Sequence, residues 1–277
     1  PPGAWGFPPP NPCTPRCVLH TGFLSSPVRA QREPRPPLPP AYDDRFFAEL
    51  TPWLATARRV AFKGGEPFLA TEARRVMDLL LDLGTEAEVK VTTNVTQWSE
   101  RIERYVTGLR MSPIISVDAM DRPLLEAIRV GVDAEVLWRN IARFEAAARS
   151  VGQVITFSFC LMRDNWQELA PLLVEADRRG AYVHVSYVHQ PSTAALARLA
   201  AHELQRVISG MDDQEATLDL NEPDLRRTWD LARAWVRGCR DLPVFPPVAD
   251  PDEGTARGEA VPVAISTRVP VVAAAQK

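Results

Sequence analysis

The sequence predicts an α/β fold built on a parallel sheet, with enough strand–helix units for a partial or full barrel. Short runs rich in Val, Ile, Phe and Thr alternate along the chain with amphipathic helical stretches. This alternation is typical of βαβ units with right-handed crossovers. At 277 residues the chain can also bury a full core, and one domain of barrel size is expected.

Five runs are predicted strands of this sheet. Each is short and apolar, and we expect each to be buried on both faces of a parallel sheet. In chain order they are 58–65, 87–94, 111–118, 153–162 and 181–189.

The helices between these strands have readable starts. Thr71 is the predicted N-cap of the first one, and Asn165 with Glu168 resembles a capping box. The longest helical stretch is 132–150, and two further helices are predicted after the last strand.

Both ends of the chain are predicted to lie outside this regular pattern. Half of the 26 prolines fall within the first 40 residues, and proline fixes φ and has no amide to donate. The last residues are rich in proline and small side chains and have no helical period. The predicted organisation is a Pro-rich loop over 1–41, an α/β core over 42–241 and a disordered tail over 242–277.

Charge and hydropathy narrow the classes of function. The net charge is −3 and the pI about 5.9, so no basic surplus indicates nucleic-acid binding. The sequence has neither a run of eighteen apolar residues nor a basic-then-apolar signal peptide, which predicts a cytoplasmic protein without a membrane partner. A first residue of Pro1 rather than Met indicates a fragment or a processed chain.

Four cysteines are too few for a disulfide scaffold. Two of them, Cys13 and Cys17, share the short loop "NPCTPRCVLHTG", which also contains His20. In a reducing compartment this spacing favours a metal site over a disulfide.

Informative residues also follow the predicted strands, where sites of parallel α/β folds form. In "KGGEP", Gly64 and Gly65 allow a close backbone approach, and Glu66 offers a carboxylate to an amine. "TTN" ends at Asn94, and "SVD" places two polar side chains on one side of its strand. Taken singly, each motif is more typical of a turn, a cap or packing than of a functional site.

Taken together and in this order, the motifs resemble the radical S-adenosylmethionine superfamily. The similarity runs from about Asn11 to Cys239. It is greatest with bacterial members related to peptide- and sulfatase-modifying maturases. Their motifs have counterparts here in "FFAEL", "GGEPFL", "TTN", "SVD", "IRVG" and "FCLMRDNW". The fold that this resemblance implies is a partial (β/α)6 TIM-like barrel.

The resemblance also implies a cofactor pair and a reaction. A [4Fe–4S] cluster on a Cys-x3-Cys-x2-Cys loop and S-adenosylmethionine would generate a 5′-deoxyadenosyl radical that abstracts hydrogen from a substrate. Relatives act on peptides, proteins or small metabolites, and a flavodoxin or ferredoxin would supply one electron. The expected class is a metal-binding oxidoreductase whose cofactor performs the chemistry.

The resemblance assigns six cofactor-binding residues, three holding the methionine amino group and three lining the ribose and carboxylate. They are Gly64, Gly65, Glu66, Asn94, Ser116 and Asp118. Arg129 is a candidate carboxylate partner, with a surface helix position as the alternative. Cys160 is expected to be a small buried residue. His184 and His189 are either substrate-facing or part of the core or rim.

Four departures from the family pattern affect this expectation. The metal ligands would be Cys13, Cys17 and, in place of the third thiolate, His20. A neutral imidazole favours the reduced cluster, as Rieske centres show, and makes it a weaker electron donor. The consecutive prolines before this loop exclude a normal first strand. Val95 stands where many relatives carry glycine. Too few cysteines follow the loop to bind auxiliary clusters.

Three hypotheses therefore remain open. The chain is a radical S-adenosylmethionine enzyme, impaired or not by His20. Alternatively, it is a degenerate barrel that keeps the fold and acts as a binding or partner protein. A third hypothesis is a zinc site formed by the two cysteines, the histidine and a ligand elsewhere.

Overall fold

The computed structural model describes residues 42–189 and 192–241. All of these residues belong to one compact unit. Both predicted end segments, 1–41 and 242–277, lie outside the described residues.

The described strands form one parallel sheet in the order β1-β2-β3-β4-β5. Each strand pairs with its neighbours in sequence, as in a β/α barrel, and the order does not reverse as it does in a doubly wound sheet. The prediction of an α/β fold with a parallel sheet is confirmed, while a six-stranded barrel stays a prediction. The strands are β1 Arg59–Phe62, β2 Glu88–Thr93, β3 Ser112–Ser116, β4 Thr156–Leu161 and β5 Tyr182–Tyr187.

One helix precedes β1, further helices connect successive strands, and two more follow β5. No helix in the described part of the chain is long and apolar enough to cross a membrane. The helices are α1 Asp44–Thr56, α2 Thr71–Asp82, α3 Glu100–Gly108, α4 Arg122–Ile128, α5 Ala134–Ser150, α6 Leu169–Arg179, α7 Ala201–Glu215 and α8 Pro223–Gly238.

The expectation that the strands are buried on both faces is wrong. Burial alternates along β2, β3 and β4, so one face is in the core and the other is half-buried. The reason is visible in "TFSFCL", where polar and small residues occupy every second position. The core face includes Val91, Ile115, Phe157 and Phe159 at 0% exposure.

We call the half-buried side the polar face of the sheet. Cross-strand register places Ser116 beside Ser158 and Ser158 beside His184. Thr92 and Cys160 also belong to this face, because they alternate with the buried residues of their strands. Except for Ile114, the side chains of this face in β2, β3 and β4 have polar atoms, whereas those on the core face are mostly aliphatic and aromatic.

The two predicted N-caps are also wrong. Thr71 is the first residue of α2, and its N-cap, Ala70, makes no side-chain cap hydrogen bond. Asn165 precedes a 3-10 turn without capping it, because its Oδ1 accepts from the backbone amide of Met162 at 2.9 Å. Aspartate or serine caps begin four other helices, through Asp43, Ser99, Asp121 and Asp133.

Candidate functional site

The strand-end motifs lie along one edge of the sheet. Since all five strands are parallel, the loops after β1, β2, β3 and β4 leave from the same edge. These loops carry the Gly-Gly-Glu turn, Asn94, Asp118 and Asn165. The predicted neighbourhood of the motifs therefore exists in the fold.

The turn after β1 depends on its two glycines. Gly64 has a φ of +87° and Gly65 a φ of +56°, a region that side chains with a Cβ rarely occupy. Gly64 is half-buried and Gly65 is exposed. The backbone amides and carbonyls of this turn are thus open to close approach by a ligand.

Glu66 is directed into the protein. Its side chain is 2% exposed, and its carboxylate accepts three hydrogen bonds. Thr93 Oγ1 donates to Oε1 at 2.8 Å, the Phe68 amide donates to Oε1 at 3.3 Å, and the Asn94 amide donates to Oε2 at 2.8 Å. The carboxylate therefore ties the loop after β1 to the end of β2.

Burial sets the protonation behaviour of this carboxylate. Desolvation raises the pKa of Glu66 above its ordinary value of 4.5. The hydrogen bonds from Asn94, Thr93 and Phe68, and the positive charge of Arg129, oppose this rise in pKa without cancelling it.

The turn after β2 is strained. Val95 has a φ of +49° and is 1% exposed, although a β-branched residue is disfavoured in the left-handed region. The Asn94 side chain accepts hydrogen bonds at Oδ1 from the backbone amide of Thr96, at 3.1 Å, and from its hydroxyl, at 2.7 Å. The Nδ2 group of Asn94 bonds to no described residue and is left for other contacts.

Asp118, after β3, uses both carboxylate oxygens for bonds within the protein. Its Oδ1 accepts from the Cys160 amide at 2.9 Å, which joins β3 to β4, and its Oδ2 accepts from Arg129 Nε at 2.9 Å. Both side chains of this ion pair are shielded, at 14% exposure for Arg129 and 7% for Asp118. Ser116, by contrast, lies on the polar face and is half-buried.

Sequence reasoning did not assign three polar residues to this edge, two of which it interpreted only as a capping box. Asn165 is fully buried, and its Nδ2 donates to the carbonyls of Asp118 and Cys160. Glu168 Oε2 accepts from the backbone amides of Met120 and Asp121, both at 2.8 Å. The third is Asn140 of α5. It is 3% exposed, and its position on an otherwise apolar stripe was a usable signal.

The remaining predicted residues are distributed as follows. The proposed cluster ligands Cys13, Cys17 and His20 lie outside the described residues, and the described part of the chain contains no group of three metal-ligating side chains. Cys160 is half-buried rather than buried. Both His184 and His189 are exposed. The ring of His189 makes an edge contact with Trp235, their centroids 6.3 Å apart.

Comparison with known proteins gives remote structural matches. No protein-family model and no curated protein matches the chain. Three crystal structures of SuiB from Streptococcus suis do match, one of them bound to S-adenosylmethionine and another to the precursor peptide SuiA. Each has 16% identity and a TM-score of 0.42 and covers 59% of this chain. The matched part is 36–37% of SuiB, so this chain spans little more than a third of that protein.

Proposed function

We propose that this chain is a radical S-adenosylmethionine enzyme that abstracts hydrogen from a peptide or small-molecule substrate. The observation that carries the proposal is the junction of two strand-end motifs, in which the carboxylate of Glu66 accepts from the backbone amide of Asn94 at 2.8 Å. The glycine turn and the Thr-Thr-Asn turn thereby form one unit at the edge where α/β folds bind ligands. A (β/α)6 barrel around this edge is part of the proposal.

Some groups at this edge are open to the cofactor, whereas others are already bonded within the protein. The glycine turn exposes backbone atoms, Asn94 Nδ2 is a donor without a described partner, and Ser116 is half-buried on the polar face. Glu66 keeps spare acceptor capacity at Oε2, although its main contacts are internal. Asp118 is occupied at both oxygens and would act on the site through Arg129.

Each part of the proposed machinery has a separate task. Bound to Cys13, Cys17 and His20, the cluster would supply one-electron chemistry to S-adenosylmethionine, with a flavodoxin or ferredoxin as the source of the electron. The glycine turn, Glu66 and Asn94 would bind and orient the methionine end of the cofactor. Ser116 would offer its hydroxyl to the ribose, since hydroxyl groups both donate and accept.

Calorimetric titration of the folded chain with S-adenosylmethionine tests the proposal. We expect saturable binding that Asn94→Leu weakens by about tenfold, the loss of one well-placed hydrogen bond. Gln205→Leu, at an exposed position of α7, is the matched control and should leave the affinity unchanged. A folded wild-type chain that shows no saturable binding would contradict the proposal.

A second candidate is a barrel that keeps the fold without radical chemistry and acts as a binding partner. Its support is that Glu66 and Asp118 are both engaged by groups of the protein itself. Metal analysis after anaerobic reconstitution separates the candidates. Iron with sulfide supports the enzyme, zinc supports a Cys2His zinc site, and no bound metal supports the partner protein.

A further inference from the structure

The Thr93–Asn94–Val95 turn is held by side chains from three separate elements. Glu66, from the loop after β1, fixes the amide of Asn94. Thr93, the last residue of β2, accepts at Oγ1 from the amide of Val95 at 3.1 Å while donating to Glu66. Asn140, from α5, donates from Nδ2 to the carbonyl of Val95 at 2.9 Å.

These three contacts surround the strained residue. A valine with φ of +49° persists only where its surroundings determine the backbone conformation. Here side chains fix the backbone amides of Asn94 and Val95 and the carbonyl of Val95. The turn is therefore pre-organised, and Asn94, the residue in its centre, is held in one orientation.

The environment of Asn140 indicates that its amide serves this turn. It is 3% exposed and lies on the same buried face of α5 as Leu137, Ile141 and Phe144. An apolar side chain would pack there at no desolvation cost, whereas a buried amide is costly unless it is bonded. The bond that Asn140 makes is to the carbonyl of Val95, 45 residues earlier in the chain.

The same helix contacts both halves of the site. The ring of Phe144, one turn after Asn140, packs 4.8 Å from Trp98, which follows the strained turn. It also lies 5.6 Å from Phe68, which follows Glu66, measured between ring centroids. Helix α5 is thus the support against which the loops after β1 and β2 rest.

We propose that Asn140 is a positioning residue, which holds the Asn94 turn in the left-handed conformation that presents the Asn94 amide to a ligand. The identity of that ligand, S-adenosylmethionine, rests on the proposed function. The positioning itself rests on the hydrogen bond to Val95 and on the strain that this bond stabilises.

Amide hydrogen exchange by NMR and cofactor titration by calorimetry test this role together. Asn140→Leu removes the donor while keeping the branching of the side chain at Cγ, and Ile141→Val, at the next residue of α5, is the matched control. We expect Asn140→Leu to speed exchange of the Asn94 and Val95 amides and to weaken S-adenosylmethionine binding by up to about tenfold. The control should change neither. Adding Val95→Gly to Asn140→Leu should restore affinity, because glycine adopts this φ without the hydrogen bond from residue 140.

Each result decides the matter. Unchanged exchange at Asn94 and Val95 in a folded Asn140→Leu variant overturns the proposal, as does an affinity equal to that of the control. If Asn140→Leu does not fold, Asn140→Ala replaces it in the same measurements. If the wild-type chain does not bind S-adenosylmethionine, the proposed function fails, and the exchange rates still decide whether Asn140 positions the turn.

Discussion

At the scale of single residues, the candidate site is defined by groups whose conformations or environments are unfavourable in isolation. Val95 has a positive φ, and Glu66 is a carboxylate at 2% exposure. Such features persist where neighbouring groups compensate for them, and they cluster at functional sites. Both belong to one hydrogen-bonded unit with Thr93 and Asn94.

The strain at Val95 predicts an inverted order of stability between glycine and alanine. At φ of +49° an alanine retains the clash of its Cβ, so Val95→Gly should be more stable than Val95→Ala by about 1 kcal/mol. At Val106, a residue of α3 with 0% exposure, glycine should be less stable than alanine by about 1 kcal/mol. Urea unfolding measures both differences. The same order at both positions would show that Val95 is unstrained.

The raised pKa of Glu66 predicts a pH dependence of stability. A carboxyl whose folded pKa lies above its ordinary value binds a proton more tightly in the folded chain. Glu66 therefore makes its full contribution to the unfolding free energy below about pH 4.5, and this contribution is lost as the pH rises through the folded pKa. The unfolding free energy of wild type minus that of Glu66→Gln should fall as the pH rises from about 4.5 through the folded pKa of Glu66.

Glu88 provides a control of opposite sign. Hydrogen bonds from Lys90 and Arg59 lower the pKa of this exposed carboxyl. Its contribution should therefore be lost as pH falls, and the difference between wild type and Glu88→Gln should grow with rising pH. Unfolding free energies from pH 4 to 8 test both slopes. A flat difference for Glu66→Gln would show that its pKa is unshifted.

At the scale of elements, polar side chains bind successive strand ends to each other. Asp118 joins β3 to β4 through the Cys160 amide and joins the β3 end to Arg129, which directly follows α4. Asn165 adds two bonds to carbonyls of the same region. The loops after β3 and β4 are consequently parts of one bonded network.

The Asp118–Arg129 ion pair should be among the stabilising contacts of that network. Arg129→Met leaves a carboxylate buried without its cation, which should lower the unfolding free energy by about 3 kcal/mol. The exposed pair Arg45–Glu49 is the control, and Arg45→Met should cost about 0.5 kcal/mol or less. Equal losses in urea unfolding would contradict the assigned role. Adding Asp118→Asn to Arg129→Met should recover part of the loss.

The elements themselves were largely predictable from sequence, but their polar contacts were not. Periodicity located all five described strands within the predicted ranges, because apolar spacing reports burial. Asn165 failed as a predicted cap because its oxygen accepts from the amide of Met162, while its Nδ2 donates to the distant carbonyl of Asp118. Thr71 failed because the helix already includes it, with Ala70 at the N-cap position. The partners of Glu66 were equally hidden, since they depend on which strands become neighbours.

At the scale of the whole molecule, the sequential parallel sheet of the described residues has two different faces, and the candidate site lies at the edge where its strands end. The core face holds the helices, and the polar face places Ser116, Ser158 and His184 side by side. If the barrel is as proposed, the polar face lines its interior, where substrate would meet the cofactor. The proposed cluster loop would complete this arrangement.

His20, as a proposed cluster ligand, predicts an altered reduction potential of the cluster. A neutral imidazole in place of a thiolate should raise the reduction potential, so His20→Cys should lower it and increase cleavage of S-adenosylmethionine. His202→Cys, at an exposed position of α7, adds a thiol outside the loop sequence and should change neither quantity. Potentiometric titration and product analysis measure the two effects. Identical behaviour of both variants would remove His20 from the ligand set.

EPR spectroscopy of the anaerobically reconstituted, dithionite-reduced chain tests the central claim most directly. The account predicts about four irons per chain and a [4Fe–4S]⁺ signal that shifts when S-adenosylmethionine is added. A folded chain that retains no iron, or a cluster signal that S-adenosylmethionine leaves unchanged, would contradict it.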